Sequence, residues 1–259
     1  MFVSYKNTQI HFTETGSGTA VVLLHGFLEN TTMWNSTVAF LSQRYRVIAI
    51  DLLGHGLSEN LGYVHTMEQM AEAVQEVLYH LKIRKAFLIG HSMGGYVALA
   101  FAEFFPDNVK GLCLLNSTSR ADSEEKQIGR DRAIQIVKEN HTSFIRNSIP
   151  MLFRSKNRKL YRAEINEVKK EALKTSKQGI IAALEGMKIR NDREVLLHFG
   201  PYPKIMIIGE KDPVLKLEDL LDQVSGTETV VHRFSEGHMS HIENKDEMLT
   251  VLSDFLKKN

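Results

Sequence analysis

The chain has 259 residues, of which 43% are hydrophobic and 24% charged, and its formal net charge is +1. These proportions are typical of a folded globular protein and exclude an intrinsically disordered chain. The small net charge gives no general attraction to nucleic acid, and no apolar stretch reaches the roughly 18 residues that suggest a membrane span. We therefore expect a small-molecule substrate, no nucleic-acid partner and no membrane span, and the composition does not bear on the oligomeric state.

The cysteine content and the first residues favour a reducing compartment. Cys113 is the only cysteine, so no internal disulfide can form, and it lies within the apolar run Leu112 to Leu115. The segment from Met1 to Asn7 lacks the basic region and the apolar run of a secretion signal. We expect a cytoplasmic protein.

Short apolar runs rich in β-branched residues alternate with helical patterns along the chain. An alternating hairpin over 2–5 and 9–13 comes first, and helical periodicity follows at 67–81 and 96–105. The buried strands are predicted at 20–24, 46–50, 86–89, 109–115, 204–208 and 228–234. This order predicts an α/β fold, a mostly parallel sheet with helices on both faces.

The alternation stops after Asn116, and the next convincing strand begins at Lys204. Between them the sequence predicts helices at 123–139, 141–146, 156–176 and 179–189. We therefore assign residues 1–117 and 199–259 to the core, and residues 118–198, here called the inserted segment, to a helical lid. Residues 118–200 hold 18 Lys and Arg against 11 Asp and Glu. This excess is explained either by solvated helix faces or by attraction of an anionic substrate.

The pentapeptide Gly90-His-Ser-Met-Gly directly follows a predicted strand and directly precedes a predicted helix. In such a strand-turn-helix elbow the central serine adopts a strained backbone conformation, and flanking glycines remove β-carbons that would clash. The serine hydroxyl is thereby held above the sheet, next to the unpaired amides of a helix N-terminus. The pattern predicts Ser92 as a nucleophile.

A tetrahedral intermediate of acyl transfer needs two hydrogen-bond donors aimed at its oxyanion. The backbone N–H of Met93, directly after the serine, is one candidate. The other is the backbone N–H of Phe27, which follows the end of a predicted strand in Leu24-His-Gly-Phe. We interpret His25 in that motif as a hydrogen-bonded structural residue.

The serine also needs a base, and the base needs a carboxylate that fixes its tautomer. Asp212 follows the strand that ends at Ile208, in Gly209-Glu-Lys-Asp-Pro, and the Asp-Pro pair indicates a turn that presents a short carboxylate. Glu210 is the alternative acid. Asn116, at the end of the preceding strand, is uncharged and cannot serve as the acid.

Two histidines follow the last predicted strand, and we favour His238 over His241 as the base. Gly237 permits the tight turn that would bring the His238 imidazole back towards the sheet, whereas His241 is interpreted as a surface or hydrogen-bonded residue. The histidines form no cluster with metal-ligand spacing, and no Gly-rich dinucleotide motif follows a strand. We expect neither a metal nor a cofactor.

Five motifs in this order resemble those of the α/β-hydrolase superfamily, in its serine hydrolase or carboxylesterase-like branch with a helical cap. They are Leu24-His-Gly-Phe27, Asp51-Leu-Leu-Gly-His-Gly-Leu-Ser58, Gly90-His-Ser-Met-Gly-Gly95, Gly209-Glu-Lys-Asp-Pro213 and Gly237-His238. The resemblance implies an eight-stranded sheet with a helical cap between the sixth and seventh strands. It also implies that the loop from Asp51 to Ser58 shapes the floor of the site, with His55 in a structural role.

These residues predict a serine hydrolase that cleaves a small carboxylic ester, lactone or thioester through an acyl-enzyme. Ser92 attacks the carbonyl, His238 is the base, and Asp212 orients it; an aspartate nucleophile, as in families that resemble haloalkane dehalogenases, is excluded. The residues Leu28, Trp34, Phe153 and Met187 form either an apolar acyl pocket or core contacts.

Other functions remain open at this point. The segment from Leu24 to Leu28 and the basic lid resemble the menaquinone-pathway lyase that eliminates pyruvate with the same triad, in which Arg120 and Arg154 would clamp a carboxylate. C–C hydrolases and perhydrolases are further enzymatic alternatives. Some members of the fold are ligand sensors that retain a triad.

Overall fold

A computed structural model describes residues 1–259, and its eight strands form one sheet. The strands are β1 (Phe2–Tyr5), β2 (Thr8–Thr15), β3 (Ala20–Leu24), β4 (Arg46–Ile50), β5 (Ala86–His91), β6 (Val109–Leu115), β7 (Lys204–Gly209) and β8 (Val230–Phe234). Their order in the sheet is β1-β2-β4-β3-β5-β6-β7-β8. β1 pairs antiparallel with β2, and β2 with β4, while all other neighbours are parallel. The predicted α/β fold with a mostly parallel sheet is confirmed.

Helices cover both faces of this sheet. They are α1 (Asn35–Leu41), α2 (Met67–His80), α3 (Met93–Phe104), α4 (Glu124–Met151), α5 (Arg162–Ala172), α6 (Lys177–Lys188), α7 (Val195–Phe199), α8 (Leu217–Gln223), α9 (Ser240–Glu243) and α10 (Lys245–Lys258). Successive side chains of a strand point to opposite faces, so Val22 of β3 packs with α2 and α3, and Val21 packs with α1 and α10. None of the helices is both long enough and apolar enough to cross a membrane.

The chain between β6 and β7 is helical, with α4 to α7 in it. The predicted break between the first two helices falls at Asn140, where α4 is kinked (φ −153°, ψ 84°). The helix predicted over 156–176 is too long, because residues 155–157 form a 3-10 turn and α5 begins only at Arg162. The reason is tertiary, since the Asn157 side chain donates to Glu236 and Glu243 instead of lying on a helix surface. The predicted boundary at residue 198 falls inside α7.

The carboxyl ends of the parallel strands meet at one edge of the sheet, where sheets of this type build their sites. Ser92 follows β5 directly, and Asn116 follows β6. Asp212 lies three residues beyond β7, and His238 lies four residues beyond β8. The topology thus brings residues from four strand ends to one place.

Candidate active site

The turn between β5 and α3 holds Ser92 in a conformation that few non-glycine residues adopt (φ 49°, ψ −115°). The two glycines of the pentapeptide make this turn possible. A β-carbon at Gly90 would overlap the backbone of Gly94 and Gly95, and one at Gly94 would overlap the carbonyl oxygen of Leu24. The elbow therefore packs directly against the end of β3, and its serine is partly exposed.

Ser92, His238 and Asp212 form one hydrogen-bonded series. The Oγ of Ser92 lies 3.0 Å from Nε2 of His238, and Nδ1 of the same ring lies 2.7 Å from Oδ2 of Asp212. The side chains of His238 and Asp212 are 3% and 0% exposed. Because the ionised carboxylate accepts the proton of Nδ1, the lone pair of Nε2 faces the serine hydroxyl.

Asp212 is held as a carboxylate at the turn after β7. The backbone N–H groups of Val214 and Leu215 donate to Oδ1, at 2.8 and 3.0 Å. Burial opposes ionisation, but the adjacent His238 outweighs it, and the pKa of the Asp212 carboxyl lies below its ordinary value. The alternative acid, Glu210, pairs instead with Arg233 at 2.6 Å.

Asn116 contributes to the site in a way that the sequence analysis missed. Its Nδ2 donates to Oδ2 of Asp212 at 3.3 Å and to the carbonyl of Gly237 at 3.1 Å. Asn116 itself has a positive φ of 45°, a region in which asparagine is tolerated better than most residues. It thus ties the acid to the turn before His238. The signal for this role in the sequence is the position of Asn116 at the end of β6, next to the strand that leads to Asp212.

The two amides proposed for the oxyanion are unpaired. Neither the N–H of Phe27 nor that of Met93 has an acceptor within the protein. The neighbouring His25 is a structural residue, since its Nδ1 lies 2.7 Å from the carbonyl of Gly26 and its Nε2 accepts from the N–H of Leu52 at 2.9 Å. One free donor therefore lies at the first residue of α3, directly after Ser92, and the other lies on the loop after β3.

The alternative base, His241, has no hydrogen bond to Ser92. Of its two interpretations, as a surface or as a hydrogen-bonded residue, the surface position is wrong. It is buried, and its Nε2 lies 3.6 Å from Oε1 of Glu29. Burial lowers the pKa of its imidazole to about 4. Glu29, His91 and His241 place ligand atoms within 4.8 Å of one another, so this buried group is where the structure offers metal-ligand chemistry.

The four apolar residues predicted for an acyl pocket have different surroundings. Trp34 is fully buried in the core that Val21 and Leu41 form on the α1 and α10 face, which favours core contacts over a pocket. Phe153 and Met187 are 0% and 2% exposed within the larger core, which favours core contacts. Leu28 lines a cavity of the structure.

That cavity has a volume of about 440 Å³ and lies between α5 and the loop after β3. Glu164, Glu167 and Glu171 of α5 line one side, and Lys245 is the one lysine or arginine in its wall. The wall is therefore predominantly acidic. It includes none of Ser92, His238 and Asp212, so its charge does not describe the surroundings of the nucleophile.

The two arginines predicted as carboxylate clamps are already paired. Arg120 binds the carboxylates of Glu194 and Asp222. Arg154 donates to Glu236 at 2.9 Å. Neither guanidinium is free to bind a substrate carboxylate in the way that the sequence suggested. Its N–H donors already bind carboxylates of the protein, so they are not available for a bidentate contact with a ligand.

The inserted segment reaches the candidate base directly. The backbone N–H of His238 donates to the carbonyl of Leu152, just after α4, at 3.3 Å. The backbone N–H of Arg154 donates to Glu243 at 3.1 Å, and the Asn157 amide donates to Glu236 at 2.7 Å and Glu243 at 2.9 Å. The loop that carries His238 is thus held by residues 152–157.

A sequence profile of the alpha/beta hydrolase fold family matches residues 19–245. The chain is 28% identical to the pimeloyl-[acyl-carrier protein] methyl ester esterase of Aliivibrio salmonicida, over 96% of this chain and 97% of that protein. It is 25% identical to 3-oxoadipate enol-lactonase 1 of Acinetobacter baylyi, over 97% and 94%. A thermophilic esterase from Thermogutta terrifontis superposes with a TM-score of 0.91 at 30% identity, covering 99% of this chain and 96% of that one.

Other relatives are similar over a shorter stretch. Uncharacterized proteins of Mycobacterium tuberculosis and Mycobacterium bovis are 42% identical over 106 residues, which is 41% of this chain and 31% of those proteins. The match to this chain thus spans about a third of the length of those curated relatives.

Proposed function

The chain belongs to the alpha/beta hydrolase fold family, and from this premise we propose that it is a serine hydrolase that cleaves carboxylic esters or lactones. The observation that carries the proposal is the series in which Ser92 lies 3.0 Å from His238 and His238 lies 2.7 Å from Asp212. A hydroxyl, an imidazole and a carboxylate within hydrogen-bond reach of one another are the parts that nucleophilic acyl transfer needs.

The first half of the reaction forms an acyl-enzyme. His238 takes the proton of Ser92 at Nε2 as Oγ attacks the carbonyl carbon of the ester, and Asp212 stabilises the resulting imidazolium. The negative charge moves to the carbonyl oxygen, where the free N–H groups of Phe27 and Met93 donate to it. The C–O bond to the leaving group then breaks, and His238 gives its proton to the departing alkoxide.

The second half repeats these steps with water. His238 accepts a proton from a water molecule, which attacks the acyl carbon, and the same two amides stabilise the second tetrahedral intermediate. When that intermediate collapses, the proton returns from His238 to Ser92 and the carboxylic acid leaves. No residue outside the described site is needed to balance the cycle.

The kind of substrate is proposed from the relatives together with the site. An enol-lactonase, a methyl ester esterase and a thermophilic esterase match nearly the whole chain, and their names describe cyclic or open carboxylic esters. Thioesters are a chemical variant that the same acyl-enzyme route accommodates. The paired arginines give no support to a preference for anionic substrates.

We propose in addition that residues 118–198 act as a cap on a core formed by residues 1–117 and 199–259. The helices of this segment are inserted between β6 and β7. Its carbonyl of Leu152 accepts from His238, and its Asn157 binds the acids that flank that histidine. A cap in this place would control access to Ser92 and shape the acyl side of the site.

The lyase alternative came from the resemblance of residues 24–28 and of the basic lid, and it needs Arg120 and Arg154 as carboxylate clamps. Both arginines are paired with acids of the chain, so the structure adds no support for that clamp. C–C hydrolase and perhydrolase chemistry would use the same three residues and is separated from ester cleavage only by the substrate. A ligand sensor would bind and turn over slowly. We therefore propose the ester hydrolase alone.

A fluorophosphonate probe tests the shared premise, because it reacts with a serine that a base has activated. We expect one adduct, located on Ser92 by peptide mass spectrometry, and hydrolysis of p-nitrophenyl acetate that Ser92→Ala abolishes. Ser143→Ala, at an exposed serine of α4, is the control, and we expect it to keep the label. Turnover that survives Ser92→Ala would contradict the proposal. If the wild-type protein is active, p-nitrophenyl esters with acyl chains of increasing length would define which esters it cleaves.

A further inference from the structure

A second buried carboxylate–imidazole pair lies behind the candidate active site, and none of the steps above uses it. Oε2 of Glu29 lies 2.8 Å from Nδ1 of His91, and the two side chains are 3% and 1% exposed. Glu29 belongs to the loop that carries the free amide of Phe27, while His91 directly precedes Ser92. The pair therefore joins the loop of the candidate oxyanion amide to the nucleophile turn.

The other nitrogen of His91 reaches the candidate base through its backbone. Nε2 of His91 lies 2.9 Å from the carbonyl oxygen of His238. A carbonyl oxygen only accepts hydrogen bonds, so Nε2 must carry a proton. Nδ1 faces Oε2 of Glu29, which also accepts from the N–H of Gly26 at 2.9 Å. Both nitrogens of His91 are thus placed as donors, the arrangement of an imidazolium beside a carboxylate.

The electrostatics agree with this geometry. Burial opposes ionisation of Glu29, but His91 outweighs it and, with His241 and His25, lowers the pKa of the Glu29 carboxyl to about 2. Burial likewise disfavours a charged His91, yet the carboxylate of Glu29 raises the pKa of its imidazole above the ordinary value. Each shift favours the ionised form of its own group, in agreement with the donor positions of both ring nitrogens.

His238 is consequently fixed by both polar groups of its backbone. Its N–H donates to Leu152 at 3.3 Å, and its carbonyl accepts from His91 at 2.9 Å. The second of these bonds is charge-assisted, and such bonds are stronger than those between neutral groups. A β-carbon at Gly26 would overlap the Glu29 carboxylate and the His91 ring, so this glycine is what lets the pair form.

We propose that Glu29 and His91 are positioning residues: as a buried ion pair they hold the carbonyl of His238, and so fix the ring of His238 against Ser92. The inference rests on the proposed function of Ser92 and His238. Holding a reacting group in place contributes strongly to rate, since a displacement of about 1 Å can cost roughly 100-fold.

Two amide variants separate the two hydrogen bonds of His91, the one from Nδ1 to Glu29 and the one from Nε2 to the carbonyl of His238. In His91→Gln the side-chain amide reaches about as far as Nε2 and can still donate to the carbonyl of His238. In His91→Asn it reaches only about as far as Nδ1 and can donate to Glu29 alone. We expect kcat for p-nitrophenyl acetate to fall by roughly 100-fold in His91→Asn and by under about 10-fold in His91→Gln, with KM changed little in both.

A stability control distinguishes positioning from general loosening of the fold. Asp122 and Arg190 form another buried ion pair, at 2.6 Å with 1% and 2% exposure, in the inserted segment. We expect Asp122→Asn to lower the melting temperature while kcat stays unchanged. Equal kcat losses in His91→Asn and His91→Gln, or losses that follow melting temperature across all three variants, would overturn the proposal.

A spectroscopic readout on the wild-type protein is independent of activity and of how the variants fold. Nitrogen-15 NMR of labelled histidine should show both ring nitrogens of His91 protonated at pH 7. One unprotonated nitrogen would overturn the ion pair. Zinc bound stoichiometrically and required for activity would also overturn it, because Glu29, His91 and His241 would then be ligands. Failure of the proposed function would give a different result: the fluorophosphonate would leave no adduct on Ser92 of the wild-type protein. The positioning role of Glu29 and His91 would then be wrong as well.

Discussion

The molecule contains two buried carboxylate–imidazole pairs, and the centres of their imidazole rings lie 5.1 Å apart. The pairs differ in the group that faces Nε2 of the imidazole. In the pair of Asp212 and His238 the carboxylate lies 2.7 Å from Nδ1, and in the pair of Glu29 and His91 it lies 2.8 Å from the same ring atom. The remaining nitrogen faces the hydroxyl of Ser92 in the first pair and the backbone carbonyl of His238 in the second.

This difference decides what each ring can do. A hydroxyl can donate, so His238 can keep a free lone pair at Nε2 and act as a base. A carbonyl cannot donate, so His91 must hold a proton at the corresponding atom, and the ring serves as a fixed cation. A carboxylate and an imidazole therefore give chemistry in one place and positioning in the other. Substitutions in matched positions test that contrast.

The largest contrast should come from glutamine at the two histidines. His238→Gln removes the base, and we expect kcat for p-nitrophenyl acetate to fall by roughly 10⁵-fold or more, to the residual rate that binding and oxyanion donors support. His91→Gln keeps its donor to the His238 carbonyl and should lose under about 10-fold. Steady-state assays with p-nitrophenyl acetate would measure kcat of both variants. Similar losses of kcat at the two positions would contradict the distinction between base and positioning residue.

The acids give the next contrast. Asp212→Asn leaves the shape of the site but no longer fixes the tautomer of His238, so we expect kcat to fall by roughly 10⁴-fold. Glu210→Gln is the matched control, because Glu210 binds Arg233 and not the imidazole. The steady-state kinetics of Glu210→Gln should equal those of the wild type. If Glu210→Gln were the inactive variant, the acid would have been assigned to the wrong residue.

Glu29→Gln should also lower stability, by about 3–5 kcal/mol in the free energy of unfolding, because a buried charge loses its partner. The carboxyl pKa of Glu29 is lowered from 4.5 to about 2, so its stabilisation is present above pH 4.5 and is lost as the pH falls. The pKa of His91 is raised above 6.5, so its stabilisation is present below pH 6.5 and is lost as the pH rises through the raised value.

The difference in stability between wild type and Glu29→Gln should therefore be greatest between about pH 4.5 and 6.5. Urea unfolding from pH 4 to 9 would measure it. His25 and His241 also face Glu29, and Asp212 faces His91, so Asp212→Asn in the same buffers shows how much of the profile belongs to the neighbouring pair. A difference that does not change with pH would argue against an ion pair.

Arg120→Ala should have the smallest effect. Its ion pairs with Glu194 and Asp222 are partly exposed, and such pairs contribute under about 1 kcal/mol. We expect kcat/KM to change by less than about twofold for neutral and anionic esters alike, as measured on matched acetate and succinate monoesters. A selective loss for the anionic ester would restore the clamp that the sequence suggested.

The sequence predicted much of this fold, because buried strands have a local signature. The bounds of β3, β4 and β6 agree with the expected runs, since each is a short apolar stretch that is buried on both faces. The start of α5 was missed because Asn157 is bound by acids about 80 residues further along the chain. No local periodicity encodes that contact.

The candidate site divides in the same way. The chain order and turn chemistry of Ser92, Asp212 and His238 were enough to predict that they meet, and their catalytic roles stay predictions that the variants above test. The role of Asn116 could not be predicted, because its side-chain amide donates to Asp212 and to the carbonyl of Gly237, and both acceptors are brought to it only by folding. The proposed pocket was the weakest part, since apolar residues at helical spacing pack a core as readily as they line a cavity.

By itself, the sequence determined the sheet, the elbow at Ser92 and the strand ends from which Asp212 and His238 come, since these depend on backbone geometry that short motifs encode. Only the tertiary structure decided the partners of the other charged groups. Glu29 and His91 are 62 residues apart, and the carbonyl that His91 holds is 147 residues away. A side chain's protonation state depends on which atoms surround it after folding, and motif spacing carries no record of those atoms.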